Sequence, residues 1–260
     1  VFAQAQLAND VFQLSDGQWH WTTWLNAKGR VMAIFQLLRL DPQRLLLLSY
    51  DDNAEALAEQ LRRFVFRRKV RISLEPVSLE AAFQTPTLAT GSLFSYIKNG
   101  AIELDMGSSA QPRALHLIIG ETTHAADEDK RFILAWQQAD LLFGLPHLTP
   151  SQVQQWTVQQ LGLERLAAYS VKKGCYPGQE IVARTHFLGK AAKRSVQLLK
   201  LNTSAPPGTP VTQQTQDIGT IVSSAGLLAL AVLPRERATL ALQVNGNAAQ
   251  WIPFWEGLAR

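Results

Sequence analysis

Cysteine occurs once in this chain of 260 residues, at Cys175. A single thiol excludes an internal disulfide, and it cannot supply the several thiolates of a closed zinc site or a self-contained iron–sulfur cluster. A reducing, cytoplasmic setting is the expectation that follows. Long apolar runs are missing as well: none approaches the roughly 18 residues of a spanning helix, so no membrane partner is expected. The amino terminus lacks the basic-then-apolar layout of a secretory signal. The sequence opens on Val1 rather than methionine, and a stretch ahead of it is expected. HExxH, GxSxG, GxGxxG and the P-loop pattern are absent too, which removes the common zinc-protease, serine-hydrolase, dinucleotide and nucleotide readings.

What is present is a large apolar fraction, 47%, enough for a sizeable core in about two domains or three small ones. The net charge of +4 and pI near 9.3 favour anionic partners, either a carboxylate-bearing small molecule or nucleic acid. The charge is uneven, with six cations in the ten residues 62–71. Two readings stand for this run. It is a nucleic-acid contact, or it is the cationic last turn of a helix spaced by Leu57, Leu61 and Phe64, followed by a half-exposed strand through Val70, Ile72 and Leu74.

Trp19, Trp21 and Thr23 alternate ahead of Asn26-Ala27-Lys28-Gly29-Arg30, and 31–40 is strongly apolar, which predicts a hairpin turning at Lys28-Gly29. Residues 45–50 read as a short buried strand. Glycines and prolines punctuate 76–113, where only a strand near 101–105 is legible, and 115–119 is a clearer strand. Phe132, Ala135, Trp136, Ala139 and Phe143 predict a helix ending at Gly144, with Thr122-Thr123 as its N-cap and Asp127 and Glu128 near the first turn. A ragged helical pattern follows over 151–169. Beyond Arg194, apolar stretches at 195–201, 210–212, 219–223, 227–233 and 238–243, separated by Pro/Gly turns and by Asn245-Gly246, predict a small closed β-domain.

Cys175 sits in Lys172-Lys173-Gly174-Cys175-Tyr176-Pro177-Gly178-Gln179-Glu180. Neighbouring cations lower a thiol's pKa when they fold back on it, and Lys172 and Lys173 are placed to do so. The glycines and Pro177 predict a fixed, exposed loop presenting Cys175, Tyr176, Gln179 and Glu180; the alternative is a small buried hydrophobe. A Cys/His nucleophile needs one of His20, His116, His124, His147 or His186, and the sequence brings none of them to the thiol. If 180–187 is a strand, its side chains alternate between faces.

The octapeptide 173–180 resembles the KGCYxGQE signature of the YgfZ family, relatives of the glycine-cleavage T-protein, the aminomethyltransferase. The likeness continues through Ile181, Val182, Ala183 and Arg184 to Gly189 and Lys193-Arg194, in the opening Gln4-Ala5-Gln6-Leu7-Ala8-Asn9-Asp10-Val11, and in the Asn26–Arg30 turn. Departures are Ala5, Ala8 and Asn26, and residues 159–168 lack the family's usual pattern. The resemblance implies an α+β, T-protein-like ring of two α/β lobes and a C-terminal antiparallel β-barrel around a central folate channel. The corresponding boundaries are 1–75 for the first lobe, 76–189 for the second, which carries the loop, and 190–260 for the barrel.

It also implies binding of tetrahydrofolate or a one-carbon derivative, with Trp136, Tyr176, Gln179, Glu180, Arg184, Asn9 and Asp10 as candidate contacts, and Cys175 and Lys173 as candidate reactive groups. Where the T-protein carries a carboxylate pair, this chain has Ala33-Ile34, and neither side chain accepts a proton. Ordinary aminomethyl transfer is therefore not expected at that place. The family's association is with assembly or repair of iron–sulfur clusters in client enzymes, some of which thiolate tRNA. A transferase using Asp10 or Glu180, and a tRNA-binding protein acting weakly through 62–71, are the competing readings.

Overall fold

The computed structural model describes residues 2–51, 54–120, 129–188, 194–236 and 241–260. A short helix α1 (Phe2–Gln6) leads through a 3-10 turn into β1 (Gln18–Leu25), which pairs antiparallel with β2 (Val31–Asp41); β3 (Arg44–Leu48) completes a three-stranded sheet. The register sets Trp19 opposite Leu38 and Trp21 opposite Gln36. Trp19 and Trp21 enter the main core, while Trp24 joins a second cluster with Ala33, Phe35, Leu57 and Leu61 of helix α2 (Ala54–Arg62). Both faces of β1 are thus covered, which is why its burial is nearly continuous rather than alternating.

A second sheet runs β4 (Val77–Ala82), β7 (Ala114–Ile119), β6 (Ile102–Asp105), β5 (Ser95–Tyr96). Buried Glu103 of β6 organises the connection ahead of β5 by accepting hydrogen bonds from the backbone N–H groups of Thr87, Leu88 and Ala89. Burial alone would raise its pKa. These donors and His116 outweigh that and hold it at about 2. Helix α3 (Lys130–Leu142) is capped by Asp129, whose carboxylate accepts from the N–H groups of Arg131 and Phe132. The expected start at 122–128 lies outside the described residues.

Helix α4 (Gln179–Leu188) follows the Cys175 loop, and six strands then close a barrel in the order β10-β11-β8-β13-β12-β9: β8 (Arg194–Leu201), β9 (Pro210–Gln213), β10 (Gln216–Ala225), β11 (Leu228–Pro234), β12 (Leu242–Val244) and β13 (Asn247–Ile252). The Asn245-Gly246 turn joins β12 to β13, and β13 closes the ring on β8. Closure leaves no free edge, which lets such short strands stand together.

Three expectations are corrected. Residues 70–74 form no strand; the Ile72 carbonyl accepts from Arg62 Nε of α2 instead of from a neighbouring strand. Residues 180–187 are helical, with Val182 buried between exposed Ile181 and Arg184. Residues 151–169 are turns with one 3-10 segment (Leu163–Leu166), pinned by tertiary bonds: Val31 N–H donates to the Trp156 carbonyl and Gln154 N–H to the Val31 carbonyl.

Candidate functional site

The Cys175 loop is built by clamps from within and below. Ser170 Oγ accepts from the N–H groups of Lys172 and Lys173, Tyr176 Oη donates to the Ser170 carbonyl, and Gln179 Nε2 donates to the Lys173 carbonyl. Gly178, at φ +77°, lies backbone to backbone against the β1–β2 turn: a Cβ there would come within 2.6 Å of the Asn26 carbonyl oxygen and the Gly29 Cα. Gly29 reciprocates at φ +69°, where a Cβ would meet Ile181 Cβ at 3.0 Å. The glycines of two distant motifs are thus one contact.

Two expectations for this loop change. Tyr176 is buried, and burial pushes its hydroxyl up to about 12, so the loop does not display it. Lys173 is buried as well: its ammonium donates to the carbonyls of Gln4 and Leu7 and lies 4.9 Å from the Tyr176 ring centre, so it ties the loop to the amino terminus rather than serving the thiol. Burial lowers the Lys173 pKa to about 8, against the pull of Asp10. Cys175 itself is exposed, as are Glu180 and Arg184 on α4, while Gln179 is half-buried. Among the described residues no histidine bonds to Cys175; His124 lies outside them.

Beside the loop opens a cleft of about 540 Å³ lined by Asn9, Asp10, Trp19, His20, Ser92, Tyr169, Ser170, Lys172 and Arg260. Of the sequence candidates it gathers Asn9 and Asp10. Asn9 Nδ2 donates to the carbonyls of Trp21 and Ala167, both at 2.7 Å, stitching the amino-terminal loop to the segment that carries the signature. One Asp10 oxygen accepts from Gln4 Nε2 and from the Phe12 N–H. Burial depresses the His20 pKa to about 4, with Asp10 opposing and Lys173 adding to the effect, so the imidazole is neutral near pH 7. Among the described residues, Trp19 Nε1, His20 Nε2 and Arg260 Nε are buried without a hydrogen-bond partner. Trp19 and His20 are successive residues of β1 and face opposite sides of the sheet, so the three unpaired atoms are separate buried positions near the cleft and not one open set of donors within it.

Trp136 is not in that cleft. It is buried on α3, with the Arg113 guanidinium 4.6 Å from its ring centre, Phe132 stacked at 6.1 Å and Phe83 at 5.5 Å. It borders a polar centre that sequence reasoning missed. Arg113 and Asp140, each 1% exposed, pair at 2.7 Å; Asp140 also bonds His147 Nε2 at 3.0 Å, and His147 Nδ1 lies 3.8 Å from Asp51. Burial would lower the His147 pKa, but the hydrogen bond and charge of Asp140, with Asp51, raise it. The His147 N–H donates to Ser223 Oγ, so this centre joins the second sheet, α3 and the barrel. One signal was available: Asp140 stands four residues after Trp136, a carboxylate on the apolar stripe of its helix.

Comparison with known proteins accords with this construction. The family described as CAF17, C-terminal beta-barrel domain, matches residues 193–257, the stretch that holds the six barrel strands. The tRNA-modifying protein YgfZ of Escherichia coli is 30% identical over 223 residues, covering 79% of this chain and 68% of the relative. The tRNA-modifying protein YgfZ of Colwellia psychrerythraea is 28% identical over 204 residues, 73% of this chain and 62% of the relative. Among solved structures, the glycine cleavage system aminomethyltransferase T of Bartonella henselae superposes with a TM-score of 0.71 at 16% identity, covering 97% of this chain and 79% of that one, a likeness of fold. With a T-protein-like fold, the signature loop locked to the hairpin turn, and this level of identity to YgfZ, the chain belongs to the YgfZ family.

Proposed function

We propose that this protein binds a reduced folate in the cleft beside the Cys175 loop and acts as an accessory factor for assembly or repair of iron–sulfur clusters in client enzymes, affecting tRNA modification through them. The observation that carries the reading is the cleft itself, which opens beside the Cys175 loop and has Asn9, Asp10, His20, Lys172 and Arg260 in its wall. The volume falls within the range of small-molecule sites, roughly 300–1,000 Å³. Neutral His20 suits the hydrogen-bonding edge of a pterin, and the exposed cation of Lys172 suits a glutamate tail. Reduced folate, when bound, supplies a carrier of one-carbon units.

Classical aminomethyl transfer fits the residues less well. Ala33 and Ile34 are buried and apolar on β2, one oxygen of Asp10 is held as a cap, and Glu180 does not line the cleft. Cys175 provides one exposed thiol, three residues along the loop from the cleft-lining Lys172, a single ligand or acceptor that works only with groups from a partner.

Titration with tetrahydrofolate, followed by tryptophan fluorescence, tests the reading. Saturable binding is expected, with affinity weakened tenfold or more by His20→Phe and less by Lys172→Ala, on the scale of a buried hydrogen bond. Cys175→Ala is expected to bind folate normally yet fail to sustain an iron–sulfur client under oxidative stress. Absent folate binding refutes the cleft assignment; full client activity with Cys175→Ala refutes the role of the thiol.

A further inference from the structure

We infer that the strap 62–74 is a docking surface for RNA carrying unpaired bases. Six of the 25 basic residues lie in 62–71, and no carboxylate occurs between Glu59 and Glu75. The other 19 basic residues are outnumbered by 21 carboxylates, so the positive character of the whole chain resides in this strap. After α2 ends at Arg62, residues 63–76 form neither helix nor strand.

The strap is rooted at both ends. Phe64 meets Trp24 edge to face at 6.2 Å, Ile72 packs on the second core cluster, and Arg62 Nε holds the Ile72 carbonyl at 3.0 Å. Arg63 pairs with Glu59. What lies between is held out in solvent: Arg67, Arg68, Lys69 and Arg71 are exposed and, among the described residues, engage no carboxylate, and the Phe66 ring is 83% exposed. The helix C-terminus accounts for Arg62 and Arg63 alone.

Unpartnered cations flanking a solvent-facing aromatic ring are the two elements of single-strand recognition, in which cations follow phosphates and the ring stacks on a base. A membrane surface favours an amphipathic helix, which this segment does not form. Relatives that bear the name tRNA-modifying protein fit an RNA partner. The inference is independent of whether the cleft takes folate.

Fluorescence anisotropy of a labelled tRNA transcript with the full chain, over a salt series, provides the test. Arg67→Gln with Arg68→Gln is expected to weaken binding and to reduce the slope of log K against log salt by about 1.4, the value for two single-strand phosphate contacts. Phe66→Ala is expected to weaken binding roughly 5- to 150-fold with the slope unchanged, as for loss of one stacked base. Both variants alter exposed side chains, and unchanged thermal midpoints confirm that they fold. Equal binding by wild type and both variants overturns the inference. So does binding to phosphatidylserine vesicles without binding to tRNA, and so does a fully paired RNA duplex bound as tightly as the transcript.

Discussion

Replacing Gly178 by alanine is expected to destabilise the protein severely, whereas Gly174→Ala, four residues earlier in the same loop, is expected to be nearly neutral. At Gly178 a methyl group would lie 2.6 Å from the Asn26 carbonyl oxygen and the Gly29 Cα and 2.7 Å from the Gly29 nitrogen, all of them backbone atoms. Its φ of +77° adds the left-handed penalty of about 1–2 kcal/mol for a residue with a Cβ. Separating the loop from the turn adds an overpacking cost of roughly 1–3 kcal/mol. The sum, on the order of 2–5 kcal/mol, corresponds to a fall in thermal midpoint of roughly 5–15 °C for a chain of this size. A methyl group on Gly174 would meet no atom within 4 Å, and the φ there is ordinary, so this variant tests whether the signature demands glycine as such or only where two backbones touch. Thermal and urea unfolding of both variants decides the matter. A Gly178→Ala midpoint within a degree of wild type, or a Gly174→Ala loss of equal size, refutes the interlock.

Two further perturbations follow from buried charge. Asp140→Asn leaves the Arg113 guanidinium, 1% exposed, without its counter-charge, and is expected to cost roughly 3–5 kcal/mol in thermal unfolding; adding Arg113→Met recovers part of that loss, and no recovery would refute the pairing as its cause. His20 has a folded pKa of about 4 against 6.5 when unfolded, so its contribution is fully present above pH 6.5 and is lost as pH falls towards 4, by about 3 kcal/mol. His20→Gln is expected to flatten the stability profile across that window when urea midpoints are compared, and parallel profiles would show that His20 is not the group responsible.

The elements readable from sequence were those whose signal is local. The β1–β2 hairpin announced itself through alternating tryptophans and a Lys28-Gly29 turn, and the barrel through short apolar strands between Pro and Gly breaks. β13 was not read as a strand, although the Asn245-Gly246 turn that pairs it with β12 was a local signal; its polar start at Asn247 and its second pairing, with β8 about fifty residues away, obscured it. α4 escaped because Ile181, Val182, Thr185 and Phe187 favour extended backbone, while docking of Gly178 on the hairpin turn starts a helix there. Residues 151–169 take their shape from bonds to Val31 and Arg30, which no periodicity within the segment encodes.

Composition and motif were sufficient to establish one free thiol, a glycine-bounded loop around it, a basic strap and the apolar Ala33-Ile34 pair, because each is a statement about which residue types exist and in what order. Which way those residues face was decided only by the tertiary fold. Lys173 and Tyr176 turn inward because α1 offers carbonyls and Ser170 an acceptor. Cys175 stays outside because the clamps on either side of it already hold the loop, and Asp140 enters the core because Arg113 and His147 arrive there from elsewhere in the chain.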